Sequence, residues 1–329
     1  MRVIFSDLDG ALLDPHNYSF AEASEALHSI QSAGIPLVIC TSRTSAQIEL
    51  FRGQLPCHPV IIENGGAILI PSGYFPFSIP GTQQRNRFEA IKLGDCREHA
   101  IVALRHASEK CGVPVRGFSE LTTTEICELT GFNADEAERA NAREFDEPFI
   151  SLDPERTPEL LCALEQTGKR WTRGTHFYHA FGPSDKASAA WMLLKFYERA
   201  FGDVESIGLG DAPSDIDFMQ LMKRCVIVRS EFSPMLQKAL PQAELAAWPG
   251  PRGWSDSIGG FLNAAKTRVA GAKVYACSCA SISNRSSYGR DLENAGSHFE
   301  EYNDEHDFEE WCSGPSAAGF RAPSPVLHD

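Results

Sequence analysis

The sequence has 329 residues, of which 43% are hydrophobic, so it is long and apolar enough for one large domain or two, and its formal net charge is -14. Because nucleic acids and anionic membrane surfaces are polyanions, this charge argues against both as partners. No run of roughly twenty apolar residues and no basic segment followed by an apolar one is present. We therefore expect a cytoplasmic protein without a membrane span or a secretory signal.

Short apolar runs alternate with helical patterns in the first part of the chain. They predict, in this order, strand 3–5, helix 19–33, strand 37–40, helix 44–51 and strand 60–62. This order predicts parallel pairing with right-handed crossovers, and the ligand site of such a sheet lies at the carboxyl ends of its strands. The polar residues expected at that edge are Asp7, Asp9, Thr41, Arg43, Glu63 and Asn64.

The pattern changes at about residue 72, where Pro, Gly and aromatic residues become frequent. The elements predicted beyond that point are helices at 99–111, 122–129, 134–144 and 160–167 and strands at 149–152 and 177–181. This α+β order differs from the alternation before it and has apolar residues for a core of its own. It therefore indicates an inserted second domain.

The alternation of strands and helices resumes near residue 186. The elements predicted there are a helix at 187–201, a strand at 205–210, a helix through Met219 and Met222, a strand at 226–228, a loop at 249–254 and a helix at 255–266. We predict an α/β fold: a Rossmann-like doubly wound parallel sheet core from residues 1–80 and 186–266, with an inserted α+β domain at 81–185. Residues 267–329 are rich in Ser, Pro, Gly and acidic side chains, and we predict a disordered acidic tail.

Asp7 and Asp9 follow the first predicted strand. Side chains two positions apart in an extended segment project the same way, and two like charges so close repel unless a cation lies between them or one is protonated. The pair fits a hard-metal site, a nucleophile with its acid/base partner, or both. A strand-end turn stabilised by Asp is the alternative without a function.

Four motifs stand in order at strand ends or helix starts of the predicted sheet: Asp7-Leu8-Asp9-Gly10, then Thr41, then Lys186, then Gly210-Asp211 with Asp215. This order resembles the haloacid-dehalogenase-type phosphohydrolase superfamily, and the resemblance covers roughly residues 1–266. Alone, Lys186 would be an ordinary surface lysine. It opens the helix by which the chain returns to the first domain, and this favours a role in the site.

The resemblance implies a phosphatase that forms an aspartyl-phosphate. Asp7 would be the nucleophile, and Asp9 would protonate the leaving oxygen and then activate water. Thr41 would donate a hydrogen bond to a phosphoryl oxygen, and Lys186 would offset the charge of Asp7 and of the phosphoryl group.

The resemblance also implies Mg²⁺ as the cofactor. Asp211 would hold the ion together with the carboxylate of Asp7 and the main-chain carbonyl of Asp9, since oxygen ligands suit this hard cation. Asp215 completes the expected metal set, with the role of tying Lys186 or a metal-bound water.

The insertion lies between Thr41 and Lys186, which by resemblance makes it a type-two cap, an α+β lid over the site. The segments 63–66, 143–149, 173–179 and 210–216 are similar to those of mannosyl-3-phosphoglycerate phosphatases. The expected substrate is therefore a small phosphorylated sugar–glycerate, mannosyl-3-phosphoglycerate, and the products are mannosylglycerate and phosphate.

An acidic protein needs a local cationic pocket to admit an anionic substrate. The residues expected to bind it are Thr41, Ser42, Arg43, Asn64, Arg143, Glu144, Arg173, His176 and Lys186, with Glu147 and His179 as further candidates for sugar hydroxyls. Arg143 with Glu147 also fits an ordinary i,i+4 ion pair, and the histidines also fit positions that simply border a strand.

Two other functional classes stay open. One is another sugar-phosphate phosphatase, acting on glucosyl-3-phosphoglycerate, sucrose phosphate or trehalose phosphate. The other is a non-enzymatic or phosphomutase-like relative, because the family usually has Thr or Val where this chain has Ala11. The carboxylates and the lysine are all present, which argues against a loss of chemistry.

Overall fold

The computed structural model describes residues 1–51, 53–55, 58–174 and 177–266. The tail at 267–329, for which we predict disorder, and His176 lie outside the described residues. In the described part of the chain, no helix has both the length and the apolar character needed to cross a bilayer.

Two β-sheets organise the described part of the chain. Its strands are β1 (Arg2–Ser6), β2 (Leu37–Cys40), β3 (Val60–Ile62), β4 (Ala67–Pro71), β5 (Gln83–Arg85), β6 (Phe88–Lys92), β7 (Val115–Gly117), β8 (Asp146–Ser151), β9 (Arg170–Arg173), β10 (Tyr178–Phe181), β11 (Glu205–Gly210), β12 (Arg224–Arg229) and β13 (Glu244–Pro249). Its helices are α1 (Ser24–Ser32), α2 (Ser45–Ile48), α3 (Arg97–Cys111), α4 (Thr123–Thr130), α5 (Ala134–Asn141), α6 (Thr157–Glu165), α7 (Lys186–Phe201), α8 (Ile216–Gln220), α9 (Ser233–Ala239) and α10 (Gly250–Lys266).

The larger sheet has the strand order β13-β12-β11-β1-β2-β3-β4-β6-β5. Neighbouring strands from β13 to β3 pair in parallel, and those from β3 to β5 pair antiparallel. β1 is central to the parallel part, with Ile4 opposite Ile207 of β11 and Leu37 of β2. The crossovers that follow β1 and β11 run to opposite sides, so the loops at the carboxyl end of β1 leave a crevice where such sheets bind ligands.

Helices cover both faces of this sheet. On one face, α1 and α10 pack over the buried side chains of β1, β2, β11 and β12. On the other face, α7 and α8 pack against each other, with α7 against β3 and α8 against β11. The predicted doubly wound α/β architecture is confirmed.

The smaller sheet is antiparallel throughout, in the order β7-β8-β10-β9. α3 and α6 pack on it around a separate cluster that includes Leu104, Phe149 and Leu160. α4 begins with the capping box expected for Thr122 and Glu125. We call residues 97–181, from α3 to β10, the cap, and the larger sheet with its helices the core; this division into domains stays a proposal.

Two expectations about the insertion are wrong. β5 and β6, which we assigned to the insertion at 81–185, belong to the larger sheet, where they extend its antiparallel edge. The predicted helix at 134–144 ends at Asn141, because the backbone N–H groups of Glu144 and Phe145 donate instead to the carboxylate of Glu63 in the core, at 2.9 Å each.

The predicted loop at 249–254 is also wrong, since α10 already begins at Gly250. Pro251 lies in the first helical turn, where its missing N–H costs nothing. Gly253 permits the close approach of the Trp248 carbonyl, which an added Cβ would meet at 1.8 Å. Trp254 is fully buried and donates its indole N–H to Ser6 Oγ at 2.9 Å, which anchors the helix to β1.

Candidate active site

Polar residues converge at the carboxyl ends of four neighbouring strands. Asp7 follows β1, Thr41 follows β2, Glu63 follows β3 and Asp211 follows β11, and all four are buried. Lys186 is the first residue of α7, which Asp185 caps by accepting a hydrogen bond from Ser188 N at 2.7 Å. The edge of the sheet thus brings together the four motifs that the sequence places far apart.

Lys186 is the centre of a buried cluster of charges. Its Nζ donates to Asp7 Oδ1 at 2.6 Å and to Asp215 Oδ1 at 2.8 Å. Carboxylate oxygens of Asp7, Asp211 and Asp215 lie within 4.8 Å of one another. The expected tie between Asp215 and Lys186 is present, and the ammonium of Lys186 bonds two of the three carboxylates.

This excess of negative charge shifts the ionisation of the cluster. Burial raises the pKa of Asp7 to about 7, and the charge of Asp215 acts in the same direction while Lys186 opposes it. Burial, with the charges of Asp7 and Asp215, raises the pKa of Asp211 well above its ordinary value. Burial alone would lower the pKa of Lys186, but Asp215 and Asp7 hold it above its ordinary value. Protons or a cation are needed to balance this cluster.

The donor atoms fit a hard divalent cation. Asp211 Oδ1 is buried and has no hydrogen-bond partner among the described residues. The side chain of Asp211 lies against Gly10, where an added Cβ would meet Oδ2 at 2.4 Å. The oxygens of Asp215, in contrast, are occupied: Oδ1 by Lys186, and Oδ2 by the N–H groups of Asp211 and Ala212 at 3.1 and 3.0 Å. Asp7 and Asp211 are therefore the better carboxylate ligands for Mg²⁺, and Asp215 serves to hold Lys186.

Asp9 points away from this cluster and binds Arg43. Arg43 Nε lies 2.8 Å from Oδ2 of Asp9, and Nη2 lies 2.5 Å from Oδ1. From their spacing we expected Asp7 and Asp9 to project the same way from an extended segment. This expectation is wrong, because the chain turns between the two carboxylates. Ala11, the position that departs from the family pattern, is fully buried in the core next to this loop.

A cleft of about 110 Å³ opens beside Asp9, between the core and the cap. Three of the expected substrate residues line it (Ser42, Arg43 and Arg143), and so does His179. Its apolar wall is formed by Tyr18, Phe118, Phe132 and Phe177. The cleft therefore combines two guanidinium groups with aromatic rings.

Asp146, the first residue of β8, joins the core to the cap. Its Oδ2 accepts a hydrogen bond from Asn64 Nδ2 at 2.9 Å and lies 2.8 Å from His179 Nδ1, and its Oδ1 accepts from Arg143 Nε. Arg143 also donates to the main-chain carbonyl of Ser42. Burial would raise the pKa of Asp146, but Arg143 and His179 hold it below its ordinary range. One buried carboxylate thus positions three candidate substrate residues, and Arg143 extends the network to Ser42.

Other expected substrate residues lie elsewhere. Glu144 is not part of the cleft lining, and its Oε1 accepts a hydrogen bond from Arg85 at 2.6 Å. The guanidinium of Arg173 lies over the rings of Tyr178 and Phe232, at 5.5 and 5.9 Å from their centroids. Glu144 would have to leave Arg85 to contact a ligand in the cleft, and Arg173 does not line the cleft.

Glu147 is buried inside the cap. It accepts hydrogen bonds from Arg97 Nε at 2.6 Å and from Ser119 N at 2.7 Å, so the i,i+4 pair with Arg143 is replaced by partners distant in the sequence. This arrangement gives Glu147 a role in holding the cap together.

Sequence reasoning missed the aromatic wall and Asp146. Tyr18 lies in the loop after the first motif with a φ of 56°, and Phe132 lies between α4 and α5. Neither has a periodic position that could have identified it. Asp146 lies between Arg143 and Glu147, within the segment 143–149 that carries the family resemblance. Its position there was the one feature of the sequence that could have identified it as a site residue.

The chain is similar to known proteins over most of its length. A family model described as haloacid dehalogenase-like hydrolase matches residues 4–240. The chain is 38% identical over 267 residues to the glucosyl-3-phosphoglycerate/mannosyl-3-phosphoglycerate phosphatase of Persephonella marina, covering 79% of this chain and 97% of that protein. It is 32% identical over 231 residues to the mannosyl-3-phosphoglycerate phosphatase of Pyrococcus horikoshii, covering 70% and 91%.

Solved structures support the same fold. A sugar phosphatase of haloacid dehalogenase subclass IIB superposes with a TM-score of 0.55 at 17% identity, covering 79% of this chain and 99% of that one. The family match and the two relatives identify this chain as a member of the haloacid dehalogenase-like hydrolases.

Proposed function

We propose that the chain is a Mg²⁺-dependent phosphatase that hydrolyses a glycosyl-3-phosphoglycerate through an aspartyl-phosphate. The observation that carries the chemistry is the bridge from Lys186 Nζ to Asp7 and Asp215 in a buried site. The names of the relatives from Persephonella marina and Pyrococcus horikoshii support the substrate class.

In the first half-reaction, a carboxylate oxygen of Asp7 forms a bond to phosphorus while the bond to the ester oxygen breaks. That oxygen would leave with a proton from Asp9, which lines the cleft. Lys186 keeps its hydrogen bond to Asp7 and offsets the charge of the transferring group. The result is a phosphoryl group on Asp7 and a free alcohol.

In the second half-reaction, Asp9 takes a proton from a water molecule whose oxygen attacks the same phosphorus. The bond from phosphorus to Asp7 breaks, which releases inorganic phosphate and restores the Asp7 carboxylate. Thr41, which is buried directly after β2, would orient the phosphoryl oxygens.

Asp7 and Asp211 would hold Mg²⁺, with the main-chain carbonyl of Asp9 as the further expected ligand. When bound, the ion supplies positive charge that offsets the carboxylates and the phosphoryl oxygens. Asp215 contributes indirectly, because it fixes Lys186 and the turn that presents Asp211.

The residues that line the cleft support a sugar–glycerate as the substrate. Arg43 and Arg143 supply positive charge for the glycerate carboxylate, and a guanidinium matches a carboxylate through two parallel hydrogen bonds. The rings of Phe118, Phe132 and Phe177 offer an apolar surface for one face of a sugar.

The test is phosphate release from a panel of substrates, each with and without Mg²⁺. The panel comprises mannosyl-3-phosphoglycerate, glucosyl-3-phosphoglycerate, sucrose-6-phosphate and glucose-6-phosphate. We expect Mg²⁺-dependent release with a clear preference in kcat/KM for the two glycosyl-phosphoglycerates. Equal rates on all four would remove the substrate assignment, and absence of release from every one would remove the enzymatic proposal itself.

A further inference from the structure

A second group of metal-ligating side chains lies at the start of α3, outside the cleft lining. Asp95, Cys96 and His99 each offer one ligand atom, and these three atoms lie within 4.8 Å of one another. Asp95 is half-buried, whereas Cys96 and His99 are exposed, so an ion from solvent can reach them. None of the three takes part in the proposed reaction.

The donor set differs in kind from that of the active site. Cys96 offers a thiolate, His99 an imidazole nitrogen and Asp95 a carboxylate oxygen. Sulfur and nitrogen ligands favour Zn²⁺ and related transition metals, whereas the carboxylates of Asp7 and Asp211 suit Mg²⁺. The two sites would therefore select different ions.

Both carboxylate oxygens of Asp95 have partners, and Oδ1, which accepts a hydrogen bond from the backbone N–H of Cys96 at 3.1 Å, is the one that faces His99. Oδ2 of Asp95 accepts a hydrogen bond from Lys169 Nζ, while Oδ1 lies 2.8 Å from Nδ1 of His99. A cation can replace the proton between Oδ1 and Nδ1, with the thiolate of Cys96 as the third ligand and water as the fourth. This leaves Lys169 in place.

The cluster lies where the two connections between core and cap meet. Asp95 belongs to the connection from β6 to α3, and Gly182 belongs to the return connection from β10 to α7. An added Cβ at Gly182 would meet Asp95 Cβ at 2.7 Å, so the two connections are in contact at this point. An ion bound here ties the first turn of α3 to that crossing.

We propose that Asp95, Cys96 and His99 form a binding site for a single Zn²⁺-class ion at the crossing of the two core–cap connections. Three protein ligands leave the fourth position of a tetrahedral zinc ion to water, whereas purely structural zinc sites have four protein ligands. The proposal is independent of the phosphatase reaction.

Co²⁺ is the probe, because a cobalt–thiolate bond gives a charge-transfer absorption that oxygen ligands do not. The full chain is titrated with Co²⁺ in excess Mg²⁺, and the spectrum of Cys96→Ser is subtracted from that of the wild type. Thiolates elsewhere in the chain cancel in this difference. We expect a cobalt–thiolate band in the difference spectrum that saturates at one equivalent, and its absence would overturn the proposal.

Two further variants define the site. His99→Ala should weaken Co²⁺ binding at least about tenfold, because one of three protein ligands is lost. Cys162→Ser removes an exposed cysteine of α6 and should bind Co²⁺ like the wild type. Binding that His99→Ala leaves unchanged would contradict the ligand set. Thermal melting without metal checks that each variant is folded, and Zn²⁺ should raise the melting temperature of the wild type more than that of Cys96→Ser.

Discussion

Arg43 holds both carboxylate oxygens of Asp9, at 2.8 Å from Nε to Oδ2 and 2.5 Å from Nη2 to Oδ1. The guanidinium also lies over three rings, those of Tyr18, Phe51 and Phe132, at 5.0, 5.3 and 5.7 Å from their centroids. Tyr18 and Phe51 belong to the core and Phe132 to the cap. While Arg43 is bound to Asp9, Asp9 cannot donate a proton to a leaving group. In the proposed reaction, the glycerate carboxylate of the substrate would replace Asp9 as the partner of Arg43.

Arg43→Lys tests this exchange, because lysine keeps the charge but not the two parallel hydrogen bonds. We expect kcat/KM for a glycosyl-3-phosphoglycerate to fall by about 10- to 100-fold. For p-nitrophenyl phosphate, which has no carboxylate and whose leaving group needs no acid, the loss should stay below about threefold. The exposed Arg105→Lys on α3 is the control. Equal losses on both substrates would show that Arg43 acts only through the structure of the site.

Asp7→Asn tests the nucleophile. The amide keeps the shape of the carboxylate but cannot form the acyl phosphate, so we expect kcat to fall at least about a thousandfold. Lys186 keeps its hydrogen bond to Asp215, so the melting temperature should change by less than about 4 °C. Asp256→Asn, on the exposed face of α10, is the matched control. Turnover at the wild-type rate in Asp7→Asn would assign the nucleophile elsewhere.

The buried carboxyl group of Glu63 should make the free energy of unfolding depend on pH. Burial raises its pKa from 4.5 to about 7, with Arg143 opposing the shift and Asp146 adding to it. The native state therefore binds more protons than the unfolded state between these two values, and the free energy of unfolding falls as the pH rises through this window. Above about pH 7 the loss is complete, and it is of the order of 3 kcal/mol.

Glu63→Gln should remove this loss, because glutamine still accepts the hydrogen bonds from Glu144 N and Phe145 N without a charge. We expect the variant to be more stable than the wild type at pH 8 and equally stable at or below pH 4.5, the ordinary pKa of a glutamate. Urea unfolding at pH 4.5, 6 and 8 measures this, with the exposed Glu109→Gln as control. A stability difference between variant and wild type that does not change with pH would contradict the assignment.

The parts of the site that follow from local pattern were predictable from the sequence. Apolar runs identify the parallel strands, and parallel strands place their carboxyl ends together, so Asp7, Thr41 and Asp211 had to meet. The contact between Asn64 and Asp146 was not predictable in this way, since the two residues are 82 positions apart and meet only because the cap docks on the core. The same is true of the aromatic wall, whose Tyr18 and Phe132 lie in loops.

The edge of the larger sheet shows a second limit. β5 and β6 are short, lie in a segment rich in turn residues and alternate only weakly, so the sequence pattern assigned them to the insertion. Their place is set by antiparallel pairing with β4, which is a contact between elements. Period and composition do not encode such contacts.

Gly65 lies where the loop after β3 meets the start of α7. Its φ is 94°, and an added Cβ would meet the main-chain oxygen of Asp185 at 2.0 Å, directly before Lys186. Gly65→Ala therefore combines backbone strain with a clash that no flexible side chain can relieve. We expect the free energy of unfolding to fall by more than about 3 kcal/mol, and kcat to fall because Lys186 is displaced from Asp7.

The variant Gly112→Ala separates the effect of backbone strain from the effect of the clash. Gly112 ends α3 with a φ of 66°, and nothing lies within 4 Å of an added Cβ, so this variant suffers backbone strain alone. It should lose only about 1 kcal/mol and keep the wild-type kcat. Chemical unfolding measures the loss of stability in both variants, and phosphate release measures their kcat. If the two lose equal stability and keep equal activity, the contact between Gly65 and Asp185 has no part in placing the lysine.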